Sequence, residues 1–486
     1  MVIGGGIAGM AAAATLAQQG HDITLVDKLE SLGGRNRAFT AEGFTFDTGP
    51  SWYWMPEIFE QFYARFGFNT SDFYQLKRLD PAYRVYWEDD TFTDIPADIH
   101  QLQAVFDDLE PGSGRRLVHF LHEAQKKYEL SMSKFVWLPS LTITEYFKWE
   151  ILKQAFSLDL FKSMSRHVRK FVQHPKLIQL LEFPVLFLGA KPEHTPALYS
   201  MMNYADLTLG TWYPRGGMHQ ISAAFEKILA HTGVKVHRST TGKQIELKGQ
   251  LAQGLKTDGA RFSADFVVAA GDYHAAEQQL LPPSFRNYNS AYWESRTMAP
   301  SALIFFLGFN KKIEGLLHHT LFFDAPFSPH AEDIYDFKCW PRIPLFYVSC
   351  TSKTDQTAPA GMENVFVLIP LPAGLDDDAE KHEHYLKLVL RRMEQRLSQS
   401  LNPHLVFQRS YAMKNFEEDY FSYKGNAYGL ANTLLQTGPL KPSIRNKKIS
   451  NLFYTGQLTV PGPGLPPAII SGQLVADQIK KIFPIP

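Results

Sequence analysis

Gly4, Gly6 and Gly9 follow an apolar start, Met1-Val2-Ile3, in the spacing Gly-x-Gly-x-x-Gly, and that spacing restricts the opening of the chain to very few folds. Each position excludes a Cβ for its own reason: a tight turn, close approach of backbone to a pyrophosphate, and packing of a helix on a strand. Ala11 to Gln19 reads as that helix, with its N-terminal amides turned toward the phosphates. His21-Asp22-Ile23-Thr24-Leu25-Val26 reads as the second strand. Asp27 ends it close to the roughly 20-residue spacing at which a carboxylate reaches a ribose hydroxyl. The opening therefore predicts a βαβ dinucleotide-binding unit rather than a glycine-rich surface turn. Only Met1-Val2-Ile3 precede Gly4, against about five or six residues in an ordinary strand, so a few native residues are expected to be missing from the start.

The far end of the chain carries a second set of glycines. Asn451-Leu452-Phe453-Tyr454 reads as a strand, Gly456 as a close-approach glycine at its end, and Pro466-Pro467-Ala468 as the first turn of a helix continuing through Gln478. Proline is tolerated in that turn because its missing N–H would be unpaired there anyway. The helix then presents its positive end to whatever lies before it. Near the start, Leu32-Gly33-Gly34-Arg35 and Gly49-Pro50-Ser51-Trp52 add paired glycines that let amides approach phosphate, with a guanidinium beside them.

At 486 residues the chain exceeds what one core normally holds, so two domains sharing a cleft are expected. Lys+Arg and Asp+Glu number 49 each, and this zero formal charge argues against a nucleic-acid partner and against steering of a charged substrate. With 36 Phe in 13% aromatic residues, the chain has the means to line an apolar channel. Two cysteines, Cys339 and Cys350, suggest neither a disulfide framework nor a metal site, and favour a reducing, cytosolic compartment. No run approaches the roughly 18 to 20 apolar residues of a membrane span, and no signal peptide opens the chain.

Helical patterns run through Leu117 to Tyr128 and Leu152 to Val172, and Phe183-Pro184-Val185-Leu186-Phe187-Leu188-Gly189 breaks them with a short apolar segment. A helix is expected over Gln220 to Thr232, and strands over Gly233 to His237 and Phe266 to Asp272. Ala302 to Phe309, Leu345 to Ser349 and Val365 to Leu371 read as further strands, followed by an amphipathic helix from Ala379 to Gln399. Residues 1–110, 206–280 and 421–486 are expected to form one discontinuous nucleotide-binding domain. Residues 111–205 form a helical section and 281–420 a substrate-domain sheet.

The sequence resembles the bacterial-type carotenoid desaturases, a branch of the flavin amine-oxidase-like superfamily, and most closely its phytoene desaturases. The agreement covers essentially the whole chain. It includes Gly49-Pro50-Ser51-Trp52-Tyr53-Trp54-Met55-Pro56, Glu182-Phe183-Pro184-Val185-Leu186-Phe187-Leu188-Gly189-Ala190-Lys191-Pro192, Asn203-Tyr204-Ala205-Asp206 and Tyr454-Thr455-Gly456-Gln457-Leu458-Thr459-Val460-Pro461-Gly462. Many relatives carry Gly-Ala-Gly-Thr-His-Pro-Gly at the last of these. Val460 stands in place of that histidine, so no histidine role transfers to it.

The resemblance implies FAD as cofactor and an α/β fold: a Rossmann-like FAD-binding domain interwoven with an α+β substrate domain, beside a helical section that could associate with a membrane. It implies FAD contacts from Gly4, Gly6, Ile7, Ala8, Gly9, Asp27 and Lys28, then from Gly33, Gly34, Arg35, Gly49, Pro50, Ser51 and Trp52. Val236, Gly456, Gln457, Leu465, Pro466 and Ile469 complete that set. It implies desaturation of phytoene or a related acyclic carotenoid, an apolar isoprenoid drawn from a membrane surface. Hydride goes to flavin N5, a proton to a base, and electrons on to oxygen or a quinone. The expected location is cytoplasmic, on the inner face of the membrane.

A dry, aligning channel is most of what such chemistry requires, which accords with the absence of any nucleophile motif. The base is not readable: Asp206 and Glu182 are candidates, and each could equally be a structural partner. Trp52, Tyr53 and Trp54 are candidate channel residues, and Arg166, His167, Arg169 and Lys170 could face lipid headgroups or be a solvated helix face. Within the family, a hydroxycarotenoid 3,4-desaturase and a carotene isomerase stay open. Outside it, a flavin amine oxidase or a non-catalytic FAD- or carotenoid-binding protein stays open.

Overall fold

The computed structural model describes residues 1–142, 144–145, 162–186 and 188–485. Five strands form one parallel sheet in the order Leu452–Tyr454, Val267–Ala269, Val2–Ile3, Thr24–Val26, Lys235–His237. Short as it is, Val2–Ile3 lies at the centre, with Val2 opposite both Val268 and Leu25. Both faces of the inner strands are covered, which is why they read as apolar runs, whereas the edge strand Lys235–His237 leaves Lys235 and His237 exposed.

The helix Ile7–Gln18 is buried from Ile7 to Leu16. Its alanine run lets the C-terminal helix Leu465–Ile482 come against it backbone to backbone. A Cβ at Gly472 would stand 2.4 Å from the Ala8 carbonyl oxygen and 2.7 Å from the Ala12 nitrogen. The two ends of the chain thus cross in one apolar cluster that includes Met10, Phe225, Phe453, Ile469 and Val475.

A second, seven-stranded sheet runs Leu405–Tyr411, Ser301–Phe309, Glu363–Leu371, Phe346–Ser349, His319–Phe323, Tyr83–Trp87, Phe92–Ile95. All its pairs are antiparallel except Tyr83–Trp87 with His319–Phe323. One face is covered by the amphipathic helix Ala379–Leu397 through Tyr385, Val389, Leu390 and Met393. Each such apolar side chain contributes about 1.5–3 kcal/mol on burial.

Two details differ from the sequence expectation. Tyr83–Trp87 and Phe92–Ile95 belong to the second sheet, so the chain leaves the nucleotide-binding part before residue 110. A short half-buried strand carries no mark of which sheet it will join. The segment expected to break the helices at Phe183 is instead the end of a helix, Pro175–Leu186, with Pro184 inside it. A proline near a helix end removes one backbone hydrogen bond without having to end the helix. The helical pattern expected from Leu152 lies, up to residue 161, outside the described residues. No described helix is long and apolar enough to cross a membrane.

Candidate functional site

A cavity of about 920 Å³ opens at the carboxyl ends of the parallel strands, where Ile3-Gly4, Val26 to Leu29, Ala269 to Asp272 and Gly456 line it. That is where ligands sit in open α/β sheets. Both termini of the chain contribute: Gly6, Ile7 and Ala8 from one, Gly464 through Ala468 from the other. Each of these two helices starts on a glycine N-cap with no side-chain cap, Gly6 for one and Gly464 (φ 111°) for the other. Two uncapped positive helix ends therefore face one cavity, a pair of anion-stabilising positions at separate points along it.

The glycines make a cradle. Among the described residues, chain neighbours and the helix's own backbone apart, nothing lies closer than 4.0 Å to a Cβ placed at Gly6, and nothing within 4 Å of one at Gly271. At Gly456 (φ 117°) the nearest is the Ala270 carbonyl oxygen at 3.8 Å. Gly9 differs, because a Cβ there would stand 1.9 Å from the Gly4 carbonyl oxygen. Its role is packing inside the turn, and it does not line the cavity.

Asp27 is held by the amides of Gly5 (2.5 Å) and Leu29 (2.7 Å), which offset the rise in its pKa caused by burial. Arg35 is half-buried, donating to Ser422 Oγ (2.5 Å) and the Asn426 carbonyl (3.2 Å), with its charge 4.8 Å from the Tyr420 ring centre. Its Nε has no partner among the described residues, nor does Trp52 Nε1. Buried donors left open on a cavity wall await a ligand.

Of the sequence-derived contacts, Gly4, Gly6, Ile7, Ala8, Asp27, Lys28, Gly33, Gly34, Arg35, Gly49, Pro50, Ser51, Trp52, Gly456, Gln457, Leu465 and Pro466 line this cavity. Gly9, Val236 and Ile469 do not. Val236 pairs with Leu25 in the edge strand, and the wall there comes from Thr240 to Gly242. Ile469 is core, while its neighbours Ala468 and Ile470 face the cavity. Asp272, Asn432, Tyr347 and Tyr428 line it too, without any local sequence signal that singles them out.

The charged lining residues are Asp27, Lys28, Arg35, Asp272 and Asp419. The first four sit at strand ends or in the loops beside them, and Asp419 lies in the helix Met413–Tyr420. The rest of the wall carries no charge among the described residues and is mainly apolar, with Met132, Phe135, Val136, Leu138, Leu198, Met202, Ala302, Ile304 and Leu368, interspersed with neutral polar groups such as Ser131, Tyr199 and Thr437. Trp52 bridges the two parts, stacked on His319 at 4.2 Å between ring centres. His319 is fixed by Tyr347 (2.6 Å), and burial holds it well below its ordinary pKa, so a neutral ring backs the tryptophan.

Neither Asp206 nor Glu182 reaches the cavity. Glu182 is bonded to Arg169. Asp206 accepts from Tyr83 Oη (3.0 Å) and Thr211 Oγ1 (2.9 Å), and Thr211 in turn accepts from Trp54 Nε1 (2.8 Å), so this carboxyl braces the cavity wall from behind. His167 is 1% exposed and cannot face headgroups.

Burial pushes Asp206 up to about 7, whereas in the unfolded chain it titrates near the usual ~3.9. Between those values the folded protein keeps a proton that the unfolded chain has lost. Its contribution is thus full at low pH and lost as pH rises toward 7. Asp206→Asn is expected to gain on wild type by about 3–4 kcal/mol between about pH 4 and 8 in urea unfolding. A difference that stays flat over that range would contradict the shift.

The chain matches the model of the family described as flavin containing amine oxidoreductase over residues 7–480. It is 37% identical to the carotenoid 3,4-desaturase of Haloarcula japonica over 98% of this chain and 97% of that protein. It is 30% identical to the zeta-carotene-forming phytoene desaturase of Myxococcus xanthus, covering 99% and 93%. Among solved structures, cyclohexylamine oxidase from Brevibacterium oxydans superposes with a TM-score of 0.60 at 15% identity over 99% of this chain and 98% of that one. A cofactor-binding triple mutant of putrescine oxidase does so with 0.64 at 12% identity, over the same shares. These two likenesses concern the fold.

Proposed function

The chain belongs to the flavin-containing amine oxidoreductase family, as one of its FAD-dependent carotenoid desaturases, and on that premise we propose that it introduces the 3,4 double bond of an acyclic carotenoid. The observation that carries this reading is the cavity itself, a glycine cradle between two helix N-termini that continues into an apolar wall without charged side chains among the described residues. The 37% identity to a 3,4-desaturase, against 30% to a phytoene desaturase, favours the 3,4 position. Desaturation of phytoene is the second reading.

FAD suits the residues present. The open space before Gly6, Gly271 and Gly456, the carboxylate of Asp27 and the unpaired Nε of Arg35 are what a flavin dinucleotide would fill. Bound there, FAD supplies the hydride acceptor. The protein's own part is alignment and dryness: Trp52, Ile304, Leu368 and Met202 hold a polyene against the cofactor and exclude water from the cation formed as hydride leaves. We assign Asp206 and Glu182 to the structure rather than to proton removal, since neither faces the cavity. Oxygen or a quinone would then take the electrons.

Incubation of FAD-loaded protein with two liposome-borne substrates, phytoene and an acyclic carotene already conjugated along its centre, tests the choice by chromatography. Product from the conjugated substrate alone supports 3,4-desaturation. Product from phytoene alone reverses the two readings, and product from neither removes both.

Entry from a membrane is supported by apolar residues at the surface beside the cavity-lining loop 437–440. Leu435 is 77% and Leu440 46% exposed, and Leu440 also lines the cavity. The double variant L435E/L440E is expected to turn over liposome-borne carotenoid about tenfold more slowly at unchanged FAD content. Detergent-dispersed carotenoid should be affected no more than about twofold. Equal losses in both formats would argue against docking through this loop.

A further inference from the structure

Lys441 is buried, and its Nζ has no hydrogen-bond partner among the described residues. The Oδ1 of buried Asn432 has none either. Both meet at Gly462, where a Cβ would stand 3.6 Å from Asn432 Oδ1 and 3.7 Å from Lys441 Nζ. Asn432, Leu440 and Gly462 line the cavity, and Lys441 stands behind them, not in the wall itself. A buried ammonium without a counter-charge is costly and is usually paired or neutralised. Here burial alone acts on it, lowering its pKa to about 8, with no carboxylate drawing it back. Near neutral pH it still carries its proton.

The missing counter-charge must come from a ligand, and a hydrocarbon polyene has none to give. The cofactor does. When a C–H bond breaks and its electron pair leaves with the hydrogen, neutral oxidised flavin gains one negative charge. The substrate carbon is left as a cation that then loses a proton. The uncapped N-terminus of Leu465–Ile482 begins three residues beyond Gly462 and adds positive potential on the same side.

We propose that Lys441, held behind Gly462 with Asn432 as the neighbouring acceptor, is the charge partner of the reduced flavin, so that hydride arrival gives the buried ammonium an opposite charge across that wall. In the protein without cofactor the ammonium stays uncompensated.

The test compares wild type, K441M and K441R loaded with FAD, with no carotenoid present, so its outcome is independent of the substrate assignment. In K441M the ratio of reduced to oxidised flavin at a fixed ambient potential is expected to fall about tenfold, equivalent to about 30 mV for a two-electron couple. Sulfite, which adds to flavin N5 and leaves the same negative charge on the ring, should bind about tenfold more weakly, while K441R stays within about threefold on both measures. Without cofactor, K441M should melt no lower than wild type, because an apolar side chain replaces an unpaired buried charge. Unchanged potential and sulfite affinity in K441M would overturn the proposal, as would a lower melting temperature of its cofactor-free form. If K441M loads FAD poorly, K441Q, which keeps a donor without the charge, enters the same two measurements and is read the same way.

Discussion

Replacing Gly6 with valine is expected to leave the protein folded and to weaken FAD binding by at least about 100-fold, or about 2.7 kcal/mol. Gly6 has φ −70° and ψ 172°, a conformation open to any residue, so the backbone does not resist the change. The added Cβ meets nothing closer than Gly34 Cα at 4.0 Å. Its methyl groups enter the space in front of the first helix, where a phosphate would approach the amides. Valine is a poorer N-cap than glycine, which sets a stability cost of no more than about 1 kcal/mol. Flavin fluorescence titration and thermal melting of the cofactor-free protein separate the two effects. A variant that binds FAD like wild type would remove the first helix N-terminus from the binding site.

Gly472→Val should act in the opposite order, on the fold first. Its Cβ would overlap the Ala8 carbonyl oxygen at 2.4 Å, the Ala12 nitrogen at 2.7 Å and the Ala11 Cβ at 2.8 Å. Two of those are backbone atoms of a helix buried on all sides, so neither can yield without moving the whole element. Forcing the two terminal helices apart is expected to cost about 3 kcal/mol or more and to displace both helix N-termini from the cavity. Lower stability should therefore appear in the cofactor-free protein, with FAD affinity lost alongside it. A stable Gly472→Val that still binds FAD would mean that the terminal helices do not have to touch.

These two glycines also show what was legible beforehand. Gly4, Gly6 and Gly9 were readable because excluding a Cβ is a local demand, expressed at fixed spacing whatever the remainder of the chain does. The closing helix was readable for a similar reason, since prolines in a first turn and a glycine before them mark a helix start. Gly472 was not, because its need arises from a helix more than four hundred and fifty residues earlier in the chain. Val236 and Ile469 illustrate the limit within a motif: the resemblance places them beside the cofactor, and one residue of rotation along a strand or helix turns a side chain from cavity to core.

Lys441, Asn432 and Asp272 were missed altogether. Burial and the lack of a partner are properties of assembled surroundings, and a lysine in Leu440-Lys441-Pro442 looks like any solvated loop residue. Asp206 was noticed for the segment that contains it. Its proton-holding pKa comes from the dry interior assembled around it, which outweighs the opposing hydrogen bonds from Tyr83 and Thr211, and not from that segment.

The convergence of both chain ends on one flavin against an apolar wall is best examined in a single anaerobic turnover. FAD-loaded protein is mixed with liposomes carrying the carotenoid that yields product in the two-substrate comparison, and absorbance is followed with oxygen excluded. The expected result is bleaching of the oxidised flavin band in step with longer-wavelength carotenoid bands, one flavin reduced for each double bond formed. Flavin that stays oxidised beside an unchanged carotenoid, in protein holding its full complement of FAD, would contradict the desaturase assignment.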